Sequence, residues 1–134
     1  MCEGLEKAKA KLHSGGFTCV IEGEWGSFTS QEHGIKPIMD WLRNGAKGGV
    51  CADKVIGKAA AMLLVYGGVS EIYADVISSH ALEFLETAGV AAAYDKNAEY
   101  IINRKGDGMC PMEERALELI TAGDAFSLFS EIVK

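Results

Sequence analysis

The chain has 134 residues, of which 49% are hydrophobic and 24% charged, with a formal charge of −6. This fits one globular domain spanning 1–134, long enough to bury roughly two thirds of its unfolded surface. The acidic balance, without a Lys/Arg cluster, argues against nucleic-acid binding through a basic face. No charge-free apolar run reaches the ~18 residues of a membrane span, because Lys54 and Lys58 interrupt the best candidate.

Residues 3–14 carry Leu5, Ala8 and Leu12 at helical spacing, and Gly15-Gly16 ends that helix. The charged N-terminal stretch Met1 to Lys7 does not read as a secretory signal, so a cytoplasmic protein with reduced thiols is expected. Phe17 to Ile21 reads as a strand, Glu22 to Glu24 as a turn and Trp25 to Thr29 as a second strand, giving a hairpin. Pro37 suits a first helical turn, and Ile38, Trp41 and Leu42 form the apolar stripe of a helix stopping at Asn44-Gly45.

Gly48 to Gly68 is the most apolar stretch, and its lack of alternation predicts one long buried helix. On that reading Asp53, Lys54 and Lys58 lie in its first turns, at the mouth of a site. Val69 to Ile77 reads as a strand, and Ser78 or Ser79 as the cap of a helix over 80–88 that ends at Gly89. Val90 to Tyr94 is a short strand and 95–100 a helical turn. A polar Gly-rich loop covers Asn103 to Gly108. Pro111 and Glu113 mark a helix start behind Cys110, running to about Ala122, and a last helix follows Gly123-Asp124. This order predicts a three-layer α/β/α fold with a mixed sheet of about five strands.

Three stretches carry a resemblance: Ala52 to Ala61, Tyr73 to Ser78, and Ile101 to Arg104 with Gly108 to Glu114. Together with the element order they make the chain similar to an uncharacterised prokaryotic protein family with the cytidine-deaminase-like fold, which begins with a helix and a β-hairpin followed by a helix-strand-helix core. Deaminases of that fold hold zinc through a His or Cys with Ala-Glu at one helix start and Pro-Cys-x-x-Cys at the next. Here Val50-Cys51-Ala52-Asp53 resembles the first motif, while Ile77-Ser78-Ser79-His80-Ala81 lacks both cysteines of the second. Cys51 and His80 fall short of the three protein ligands of a catalytic zinc. None of Cys2, Cys19, Cys51 and Cys110 forms a Cys-x-x-Cys pair. The expectation is therefore a protein with no metal and no cofactor.

Lys54 and Lys58, four apart, share a face of the predicted helix and are candidates to bind an anion beside free backbone N–H groups. Lys58 discriminates, since it sits deeper in apolar sequence. Asp53 is a candidate acceptor for a ligand amine or ribose, Ser78 and Ser79 are donors at the second helix start, and Asn103 and Arg104 are loop residues in reach of a ligand. The leading expectation is a small anionic or nucleotide-like ligand in a sensing or accessory role. An alternative is an enzyme using Cys110 as nucleophile or redox thiol, because a helix N-terminus favours thiolate. A third is an interaction module whose apolar helices build a homo-oligomer.

Overall fold

The computed structural model describes residues 2–133. Five strands form one sheet in the order β2-β1-β3-β4-β5: β1 (Cys19–Gly23), β2 (Gly26–Ser30), β3 (Gly49–Ile56), β4 (Val69–Ser78) and β5 (Ala91–Ala98). β1 is antiparallel to both β2 and β3, whereas β3–β4 and β4–β5 are parallel, so the sheet is mixed. Parallel neighbours need a crossover. Here these are the helices α3 (Lys58–Tyr66) and α4 (Ser79–Ala88).

One face is covered by α1 (Glu3–Gly15), whose Leu5, Ala8 and Leu12 pack on Val20, Val50, Ala52 and Tyr73. The other face presents Cys19, Ile21, Cys51, Ile72 and Ala74 to α2 (Lys36–Arg43), α3, α4 and α6 (Ala122–Ile132). Helix α3 is buried along Ala59 to Leu64, and each of its Met or Leu side chains contributes about 1.5–3 kcal/mol of burial. No helix among the described residues is long and apolar enough to cross a membrane.

The single helix expected over Gly48 to Gly68 is instead strand, turn and helix, with the break at Gly57. A strand buried on both faces reads as a continuous apolar run and has no period-two signature to betray it. Two further facts favour the strand. Val50, Val55 and Ile56 are β-branched, and Gly49 adopts φ 112° where a Cβ would lie 2.1 Å from the Glu22 carbonyl oxygen. Asp53 and Lys54 are therefore strand residues, and Lys58 is the first residue of α3. Val50 to Asp53, which resembles a deaminase helix start, likewise lies within β3.

The helical turn expected at 95–100 is also replaced, since β5 pairs with β4 as far as Ala98. The helix behind Cys110 is short, α5 (Pro111–Ala116), and α6 starts at Ala122 behind a Thr121–Asp124 capping box.

Candidate functional site

Beyond the carboxyl end of β3 the sheet opens into a cleft of about 920 Å³. In open α/β sheets this is the side on which ligands bind. Ile35, Val55, Ala59, Ala60, Ile101 and Met112 give it apolar walls. Thr18 and the 32–35 segment close one side; the Thr18 hydroxyl lies between the Ser30 and Glu32 carbonyls and ties that segment to β1. The 101–113 loop closes the other.

That loop is stitched to itself. Asn103 N–H donates to the Gly108 carbonyl, and the Asn103 side chain receives Gly106 N–H and donates to Asp107. Ile102 bridges to Met109, and Cys110 N–H donates to the Ile101 carbonyl. The self-contained loop leaves Arg104 and Lys105 exposed on the cleft rim, together with Lys54 from β3. None of these three cations has an ion-pair partner among the described residues.

Two buried carboxylates flank the end of the sheet. Glu113, 1% exposed, is turned away from its own helix. Its Oε1 receives Lys58 N–H at 2.7 Å and the Ser78 hydroxyl at 2.8 Å, and its Oε2 receives Ile101 N–H at 2.6 Å. Ser78 in turn accepts from Ala81 N–H as the N-cap of α4. One carboxylate thus joins the starts of α3 and α4, where unpaired N–H groups and the helix dipoles favour a negative charge. Gly57 makes room for it: a Cβ there would sit 3.2 Å from the Glu113 carboxyl and 2.9 Å from Ile101.

Asp53, 8% exposed, is the second. It accepts Val55 N–H at 3.1 Å and forms part of the cleft wall. Burial pushes its carboxyl up to about 7; hydrogen bonds from Val55, Cys19 and Lys54 offset only part of that. Register places Cys19 directly opposite Asp53, with Cys51 two residues earlier on the same face of β3. The hydrogen bond to Cys51 and burial both push the Cys19 thiol up. For Cys51 the bond with Cys19 acts downward, and burial and the nearby Asp53 outweigh it, so its thiol also lies above the usual range.

Of the residues singled out in the sequence, Asp53, Lys54, Asn103, Arg104 and Cys110 come together in this cleft. Lys58, Ser78 and Ser79 do not line it. The Lys58 ammonium donates to the Leu117 and Leu119 carbonyls behind α5, and Ser78 is engaged by Glu113. Ser79 donates to the Ala98 carbonyl. Sequence reading missed the roles of Thr18, Ile35, Lys105 and Glu113. Glu113 carried the nearest signal, since an acid at the third residue of a helix looks like a local cap.

The model of one protein family, described as "TM1506: Domain of unknown function (DUF1893)", matches residues 7–133. Among solved structures, a DUF1893 family protein (TM1506) from Thermotoga maritima is similar to this chain. The two are 25% identical, the match covers 98% of this chain and 91% of the other, and the TM-score is 0.88. No match is found among the curated proteins.

Proposed function

The chain belongs to the DUF1893 family, described as a domain of unknown function, and from that premise we propose that its β3 cleft binds a small anionic or nucleotide-like molecule in a sensing or accessory role in the cytoplasm. One observation carries this reading: a cleft with apolar walls whose rim holds three cations without partners, Lys54, Arg104 and Lys105. Apolar walls suit a flat ring, and a guanidinium beside an ammonium suits a phosphate or carboxylate. The volume of about 920 Å³ is that of a small-molecule site.

We further propose that the fold is of the cytidine-deaminase type. The observed helix, hairpin, helix, strand and helix follow the order that family implies. In that arrangement the zinc motifs would fall at the starts of α2 and α3, not at β3 and α4. Those starts read Ile35-Lys36-Pro37 and Gly57-Lys58-Ala59, with Glu32 and His33 just ahead of the first, and at the second no His or Cys, only the Glu113 carboxylate occupied by the Lys58 N–H. The ligand set of a zinc deaminase is not present there.

Thermal shift and calorimetry with a nucleoside, its monophosphate and inorganic phosphate test the reading. The monophosphate is expected to stabilise the protein most. Replacing Arg104 and Lys105 by alanine should weaken it by about 1–2 kcal/mol, roughly tenfold, with no change in the melting of the free protein. Equal response to nucleoside and monophosphate, or unchanged affinity in the variant, overturns it.

A second reading rests on Cys110, which is half-buried, lines the same cleft and stands at the N-cap position of α5 without a side-chain capping bond. There it would act as a nucleophile or redox thiol. Native labelling by iodoacetamide should then be faster at Cys110 than at the buried Cys19. Equal or slower labelling removes this reading.

A further inference from the structure

Cys19, Cys51 and Asp53 lie far apart in the sequence and meet through strand pairing. Cys19 on β1 stands opposite Asp53 on β3, and Cys51 shares the same face two residues earlier. The two sulfurs and a carboxylate oxygen lie within 4.8 Å of one another, and all three residues are buried. Asp53 has no ion-pair partner among the described residues. An ionised carboxylate buried without a cation is strongly unfavourable, and such groups are paired, neutralised or bound to a metal. A packed sheet interior would be better served by an apolar residue, yet here an acid stands beside two thiols on the wall of a cleft.

We propose that Cys19, Cys51 and Asp53 form a site for a soft or borderline divalent cation of the zinc class, open to the cleft through the Asp53 side. Two thiolates and one carboxylate are a donor set that zinc accepts, and three protein ligands leave a fourth position of a tetrahedral ion for water or a bound ligand. Sulfurs and oxygens of such an ion stand closer to one another than 4.8 Å, so the three side chains draw together around it. On binding, the two thiols release their protons to solvent. The bound centre carries one net negative charge, facing a rim that holds Lys54, Arg104 and Lys105. This site is built on the β1 and β3 strands, not on helix starts, and it stands independently of anion binding at the rim.

The test uses the full chain, reduced and stripped with chelator, titrated with Co²⁺ as a spectroscopic probe and then with Zn²⁺. One Co²⁺ per chain is expected, with an intense thiolate-to-cobalt charge-transfer band that Zn²⁺ abolishes. Cys19→Ser and Cys51→Ser should each reduce the band by about half, because each removes one of two sulfur ligands. Cys2→Ser and Cys110→Ser should leave it unchanged. Asp53→Asn retains side-chain volume and carries the test if the core serine variants unfold; it should weaken Co²⁺ binding by about tenfold or more. No charge-transfer band in the folded wild-type protein, unchanged affinity in Asp53→Asn, or a band lost on replacing Cys2 or Cys110 overturns the proposal.

Discussion

Strands β3 and β4 lie side by side and end at the same edge of the sheet, yet their ends are treated oppositely. Beyond β4, the Glu113 carboxylate takes three hydrogen bonds from two helix starts and the Ile101 backbone. It is a closed joint with no vacancy for an outside anion. Near the end of β3, Asp53 receives the Val55 and Lys54 N–H groups and stands beside two thiols; both acids border the cleft. Burial alone does not separate these two acids, since both are almost fully enclosed. What separates them is where the donors come from: Glu113 is held by groups from three distant segments and so fastens them together, whereas Asp53 is held by two N–H groups of its own strand and by the Cys19 thiol beside it.

The largest effect should come from breaking the closed end. Glu113→Ala strands Lys58 N–H, Ile101 N–H and the Ser78 hydroxyl in a dry place, each at about 1–3 kcal/mol. Urea unfolding should show a loss of about 3 kcal/mol or more, with Glu113→Gln recovering part of it because an amide oxygen still accepts. A loss under about 1 kcal/mol in the alanine variant would remove the distinction between the two ends.

At the open end the change should run the other way. The folded protein holds the Asp53 proton up to about pH 7, whereas the unfolded chain releases it near pH 4. Stability of the metal-stripped protein therefore falls as pH rises from about 4 to about 7 and levels off above, because the folded state binds the extra proton. Asp53→Asn should stabilise that protein by about 2–4 kcal/mol at pH 8, and the gain should vanish towards pH 4. A pH-independent difference in chemical unfolding would show that the carboxyl is not buried as described.

The smallest effect sharpens the comparison at Lys58, which the sequence suggested as the anion ligand. Its ammonium caps the Leu117 and Leu119 carbonyls, so Lys58→Met should cost about 1–2 kcal/mol of stability and leave nucleotide affinity unchanged. Weaker binding in this variant, with stability intact, would move the anion site from the rim to the start of α3.

Local features were legible in the residues. The hairpin, Pro37 in the first turn of α2, β4 and the Ser78 cap all follow from short-range chemistry. Strand β3 was hidden because α1 covers one of its faces and the helical layer the other. With β3 misread, the same-face relation of Cys51 and Asp53 was lost, and Cys19 could not be paired with them, since that needs sheet register. The polar Gly-rich composition of 103–108 marks a loop and so makes Asn103 and Arg104 candidates, whereas Lys105, equally exposed on the rim, gives no separate signal. Glu113 looked like the cap of its own helix, and only tertiary structure shows that it serves two others.

The distance of Glu113 along the chain also orders events during synthesis. All five strands have been made once Ala98 leaves the ribosome, but the carboxylate that ties α3 and α4 comes 55 residues after Lys58 and 35 after Ser78. A nascent chain halted before that point has a sheet able to pair, but the Lys58 N–H at the start of α3 and the Ser78 hydroxyl at the start of α4 lack their common acceptor. The tertiary lock therefore closes late, and it closes from the C-terminal side. A stop codon ahead of position 113 removes the core helix α6 together with most of α5, and with them the common anchor of two crossovers.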